Sequence, residues 1–176
     1  MSNSLRIRAP LMFLLTLAPA VAMAQEWKDF TSAECRCSAQ LPGMPQQRSN
    51  TMQSKFGTLD AKMIMLDVPG TAFFALFYVD YPKDVITKDK PDEILNDVRE
   101  AAVANVKGKL RSETKITMNG FPGREVKIDS PGKMVMHGRI YLVKERLYQV
   151  IVVMPESRES AGESKKFLDS FKFQKP

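Results

Sequence analysis

Histidine is almost missing from this 176-residue chain: His137 is the only one, and cysteine occurs just twice, as Cys35 and Cys37. One imidazole and one Cys-x-Cys pair do not make a four-ligand zinc set, and no ligand-spaced carboxylate cluster adds to them. A hydrolase triad around His137 lacks its Gly-x-Ser-x-Gly elbow and a placed acid. The thioredoxin-type redox device is Cys-x-x-Cys at a helix start, a spacing that Cys35-Arg36-Cys37 does not have. Internal repeats and low-complexity linkers are absent, and no stretch beyond the N-terminus is apolar over the length a membrane span needs.

What is present begins with a leader. Arg6 and Arg8 precede the run "LMFLLTLAPAVAMA", which closes on Ala22-Met23-Ala24 in the small-x-small pattern of a signal-peptidase site. The run is short and interrupted by Pro19, so residues 1–24 are expected to be a cleaved signal peptide, with Gln25 first in the mature chain. No cysteine follows the cleavage point to carry a lipid. The expected compartment is therefore the periplasm or the extracellular space, both oxidising. Losing Arg6 and Arg8 lowers the formal charge from +6 to +4, a balance that aids solubility and gives no case for nucleic acid. Roughly 150 residues remain, the size of one domain with a real core. The expected division is an N-terminal extension over 25–33 and a single domain over 34–174, with no stable membrane insertion once the leader is gone.

Hydrophobic period supplies the elements. Cys35, Cys37, Ala39 and Leu41 alternate with Arg36, Ser38 and Gln40 in a half-buried strand that ends at Pro42-Gly43. "TMQSKFG" and "LDAKMIMLDV" read as further strands. "FFALFYVDY" is apolar on both faces, as in a central strand covered on each side. "PDEILNDVREAAVANVKGKL" is a helix: Asp89 and Asp92 suit its first amides, Pro91 is tolerated in its first turn, and Leu95, Val98, Ala102 and Val106 form one stripe. Gly108 is the expected terminator. "SETKITMN", "GREVKID", "MVMHGRIYLVK" and "RLYQVIVVM" follow as an antiparallel meander with short links. "SAGESKKFLDSF" closes the chain as a helix, Ser160 and Glu163 having capping-box spacing. The fold class is α+β, a mostly antiparallel sheet of about seven strands with two packed helices.

Several of these stretches together carry a resemblance. "CRCSAQLPGMP", "FYVDYP", "VKGKL", "GFPGREVKI", "GRIYLVKERLYQVIVV" and "FLDSFKF" resemble a group of secreted or lipid-anchored bacterial proteins, and their domain is similar in layout to the Mog1/PsbP-like fold. The resemblance runs from about Glu34 to Phe173. It implies no catalytic set and no cofactor, because members of the fold serve mainly as binding or assembly factors.

The residues leave several chemistries to weigh. In an extended strand Cys35 and Cys37 share a face with Cα atoms roughly 6.5–7 Å apart, so a disulfide between them needs the strand to bend. The alternation favours two buried thiols in apolar roles; the bent disulfide and a bridge between molecules stay open. Cu(I) could draw on Cys35, Cys37, Met63, Met65, Met134, Met136 and His137, although the methionines also read as core filler. A small hydrolase could use His137, or carboxylates among Asp80, Asp84 and Asp89. The leading functional expectation is non-catalytic recognition of an envelope protein or small ligand. Its candidate residues are Arg124, Arg139, Tyr141, Arg146, Tyr148 and Gln149, because arginine and tyrosine supply contact area and directional hydrogen bonds.

Overall fold

The computed structural model describes residues 26–54, 57–83, 86 and 91–174. Residues 1–24, the expected signal peptide, lie outside the described residues, as do Asp84 and Asp89. Among the described residues, ten strands and two α-helices follow one another as β1 (Lys28–Ser32), β2 (Cys37–Leu41), β3 (Gln46–Ser54), β4 (Gly57–Val68), β5 (Ala72–Asp80), α1 (Pro91–Asn105), β6 (Lys109–Met118), β7 (Phe121–Ser130), β8 (Met134–Val143), β9 (Arg146–Pro155), α2 (Glu163–Ser170) and β10 (Lys172–Phe173). A 3₁₀ turn, Glu156–Ala161, leads into α2.

Seven strands form one antiparallel sheet in the order β3-β4-β5-β9-β8-β7-β6, and β1-β2-β10 form a second, smaller one. The expected α+β class and seven-stranded antiparallel sheet are therefore the architecture found. β5 sits between β4 and β9, and its apolar residues on both faces match that central place. The meander turns tightly where sequence permits. Asn119 (φ 53°) and Gly120 (φ 85°) occupy consecutive left-handed positions between β6 and β7, the conformation that suits Asn-Gly in a two-residue hairpin. Gly123 lets β8 approach closely, since a Cβ there would fall 2.5 Å from the Ile140 carbonyl oxygen.

One sheet face packs on α2 and the small sheet. Phe74, Leu76, Tyr148, Val150 and Val152 meet Cys37, Phe167, Leu168, Phe171 and Phe173 there. Phe74 and Phe167 lie edge to face at 5.3 Å, and Tyr148 stacks on Phe173 at 5.8 Å. The other face receives α1. Its first turns cover Leu59, Val79, Leu142 and Leu147, and Ala102 near its end meets Val126, Ile128 and Met136. Leu95, Val98 and Ala102 are buried, as the stripe predicts, and Ile94 joins them, while Val106, the fourth member of the stripe, is half-buried just beyond the helix.

Four local expectations change. β1 draws residues 28–32, placed by the sequence reading in an extension outside the domain, into the small sheet. Trp27, just before it, packs edge to face on Phe74 at 5.7 Å. Ser160 does not cap α2: it lies in the 3₁₀ turn, and Gly162 in the left-handed conformation precedes the helix without a side-chain cap. Gly108 is not the left-handed terminator of α1; Lys107 takes that role at φ 50°, while the Gly108 amide closes back on the Val103 carbonyl at 3.0 Å.

The last change concerns the cysteines. Both are buried, as the alternation predicts, yet they are not free: Cys35 and Cys37 form a disulfide with Cα atoms 5.1 Å apart. The strand begins only at Cys37. Arg36 takes φ 54°, and this left-handed residue turns the chain so that the two Cα atoms come closer than an extended strand allows. The Cys35 amide donates to Ser32 Oγ at 3.1 Å, which secures the turn.

Candidate functional site

The six residues expected on one recognition surface fall on two sheet faces and in the core. Arg124 faces α1 and is 3 % exposed; it donates to Asp92 in the first turn of that helix and to the Gly123 carbonyl, with Nε 3.1 Å from Glu113 Oε1. It fastens α1 to β7. Hydrogen bonds from Arg124 and Lys115 hold the Asp92 carboxyl below its ordinary range.

Arg139 lies on the opposite face and fastens α2. Its Nε donates to Glu125 at 2.5 Å, Nη1 to the Leu168 carbonyl at 3.0 Å and Nη2 to Asp169 at 2.7 Å. His137 Nε2 stands 3.1 Å from the other Glu125 oxygen. Burial pushes this imidazole down, against the upward pull of Glu125. Tyr141 and Tyr148 are buried in the core, where Tyr141 stacks on Phe171 at 6.0 Å.

Arg146 is the clamp of the cysteine turn. Its Nε and Nη2 donate to the two Asp80 carboxylate oxygens, each at 2.6 Å, and Nη1 donates to the carbonyls of Glu34 (2.7 Å) and Cys35 (2.9 Å). The Tyr148 hydroxyl donates to the same Cys35 carbonyl at 2.8 Å. The guanidinium also lies 4.9 Å from the Tyr78 ring centre. Burial, then the Glu34 charge, pushes the Tyr78 hydroxyl up to about 12. A polar cavity of ≈ 520 Å³ opens beside this clamp, where Arg146 answers Asp80 and Lys62 answers Glu34 at 3.3 Å, and Asp60 also lines it.

The same geometry separates the expected chemistries. Cys35 and Cys37 are bonded to each other beneath α2, whereas Met63, Met65 and Met136 belong to the opposite sheet face by register. The soft ligands that Cu(I) would need are therefore divided by the sheet. No cluster of three or more His, Cys, Asp or Glu that could hold a metal occurs among the described residues. His137 and Asp80 share no cleft. Their partners on β9, Val152 and Arg146, are six residues apart, roughly 20 Å along a strand.

Gln149 stands elsewhere. It lies on the α1 face, between Leu147 and Ile151, on the floor of an open groove beside α1. Two adjoining cavities of ≈ 370 and ≈ 420 Å³ make up this groove and share Met52, Ala102, Asn105 and Gln149. One lobe is lined by Phe73, Ala75, Phe77, Met136, Ile151 and Val153. The other is lined by Val79, Tyr81, Ile94, Val98 and Leu147. From Phe73 to Tyr81 it extends roughly 25 Å along the strands. The hollow exists because small side chains sit where the register places them beside large ones: Ala75 opposite Met65 and Ile151, Ala61 opposite Val79. Phe73, Phe77, Met63, Ile151 and Val153 remain half-buried.

The sequence singles out Gln149 but not its setting. The signal was visible: a carboxamide at the middle of an otherwise apolar alternation, Leu147, Ile151, Val153. The neighbours supplied by β3, β4 and α1 depend on pairing and had no mark of their own.

Comparison with known proteins places this architecture. No family model matches the chain, and no curated protein does. Among solved structures, the solution structure of cyanobacterial PsbP (CyanoP) from Synechocystis sp. PCC 6803 is similar, with a TM-score of 0.61 at 9 % identity, over 91 % of this chain and 99 % of that one. The fold is Mog1/PsbP-like. At that identity the likeness concerns the path of the backbone, so the groove of this Mog1/PsbP-like domain is described by its own residues alone.

Proposed function

We propose that the chain is an exported, non-catalytic binding protein of the cell envelope whose receiving site is the groove between α1 and the β3–β4 side of the sheet. The observation that carries this reading is the unfinished cover of that face. An apolar groove of some hundreds of Å³ with a few polar groups is the ordinary form of a ligand site. The likeness to the PsbP fold agrees with a binding role. Export is supported by the leader pattern and by the Cys35–Cys37 disulfide, a bond that persists in oxidising compartments. No helix among the described residues is long and apolar enough to cross a membrane.

The groove is tested by filling it. Ala61 lies half-buried beside Asn50 and Val79, and Ala61→Trp should occupy the hollow without unfolding the sheet. The environment-sensitive dye 1-anilinonaphthalene-8-sulfonate should bind the native protein saturably and bind the variant much more weakly, at an unchanged melting temperature. Equal dye binding by the two proteins rejects the groove as the site. Intact mass of the exported protein tests the compartment, the expected product starting at Gln25.

A further inference from the structure

We infer that the occupant of the groove is an extended, apolar peptide segment of a partner protein, read through its backbone amides by Gln149, Asn105 and Asn50. The inference rests on the groove being a binding site and adds what fills it. Two carboxamides stand at the waist between the two apolar lobes, Gln149 half-buried on the floor and Asn105 exposed on the α1 rim, and a third, Asn50, is exposed on the β3 rim of one lobe. Their side chains have no hydrogen-bond partner among the described residues, although most polar groups of the sheet faces are tied up. Arg48 stands in the same residue row as Met63, Phe77 and Gln149, and among the described residues its side chain donates to Gln46 at 3.5 Å.

A carboxamide both donates and accepts, and so does a peptide unit. An acyl chain offers neither function, so its passage over Gln149 would desolvate a polar group without replacing its water bonds. A helix offers apolar side chains, but its amides are already satisfied internally. An extended segment has its amides free and alternates its side chains every second residue. A segment of about eight residues spans the roughly 25 Å of the groove. Its apolar side chains enter the two lobes while its central amides reach the waist. The flank of the groove is β3, an edge strand of the sheet whose outer backbone groups have no strand beside them among the described residues, so a neighbouring extended chain meets further donors and acceptors there.

The test uses the exported protein, a fluorescein-labelled octapeptide of alternating Leu and Ser capped at both ends, sodium dodecanoate and 1-anilinonaphthalene-8-sulfonate. The peptide should displace the dye from the native protein. Gln149→Leu, which places an apolar residue on a half-buried strand position, should weaken peptide binding roughly three- to tenfold, the worth of one neutral hydrogen bond, while dye binding is kept or strengthened. Gln149→Met serves as the second variant if Leu disturbs the melting temperature. Peptide binding that is unchanged or tighter in these variants overturns the inference. So does displacement of the dye by dodecanoate but not by the peptide, a result that leaves the groove standing as a lipid site. Failure of dye, peptide and dodecanoate alike to bind rejects the groove itself.

Discussion

On one face of the seven-stranded sheet Phe74, Tyr148 and Val150 are sealed beneath α2 and the small sheet; on the other, Phe73, Phe77 and Ile151 stand half-covered beside α1. The residues are of one kind and come from the same two strands, alternating by one position. What differs is the cover. The sealed face is closed by α2, three short strands and ring contacts that pair Phe74 with Phe167 and Phe171 with Phe173. Its polar groups are committed as well: Arg139 to the end of α2, and Arg146 and Tyr148 to the cysteine turn. Among the described residues the open face has one helix, whose ion pairs hold one side of it down and leave the other beside a hollow. One face is organised for stability, and the other has room for a ligand.

The largest effect should come from cutting into the sealed face. Phe74→Ala is expected to cost about 3–5 kcal/mol, the range for emptying a buried aromatic site, whereas Phe77→Ala on the open face should cost well under half of that. Chemical denaturation of the two variants measures both, and equal losses would mean that the two faces are equally packed. Val98→Asp, which buries a charge beneath α1 with no partner, belongs with the severe changes, at roughly 4 kcal/mol or more.

Next is the disulfide, which ties the sealed face to its turn. Replacing both Cys35 and Cys37 by Ala removes a very short loop constraint and some packing, and about 1–3 kcal/mol should be lost. Groove ligands on the far face should bind as before. Intact mass should rise by two hydrogens on reduction; an unchanged mass would restore the reading of two free thiols.

A smaller effect is expected from acid. Hydrogen bonds from Arg146 hold the Asp80 carboxyl below its ordinary range. A carboxyl lowered in the folded state contributes stability that is complete above its unfolded value, near 4, and disappears as pH falls through the lower folded value. Asp80→Asn should therefore flatten the stability curve of the native protein below about pH 4, leaving its slope near neutrality untouched. A parallel acid limb in wild type and variant would remove the clamp from the account. Last comes Glu100→Ala on the wet side of α1, whose pairing with Arg99 at 2.9 Å is exposed. It should change stability by less than about 0.5 kcal/mol.

Much of this was legible from residues in a row. The α1 stripe, the apolar character of β5 on both faces and the four-strand meander are periodic signals, and periodicity states which side chains need cover. It does not state how much cover arrives. "FFALFYVDY" reads as sealed twice over, yet Phe73 and Phe77 are half-exposed because α1 runs over other rows. In the same way Arg124, Arg139 and Tyr148 look alike as surface candidates in sequence. Only strand register, which sends neighbours to opposite faces, separates a helix fastener from a core tyrosine. Cys35 and Cys37 followed their alternation into the interior, but whether they bonded depended on one left-handed residue, Arg36, and on the carbonyl clamp by Arg146 and Tyr148 more than a hundred residues away. The sequence by itself determined the period, and so the elements and their wet and dry sides. The tertiary structure alone decided the groove, because a hollow is formed by the small residues of β4, β5 and α1 meeting across space, and no local pattern records that meeting.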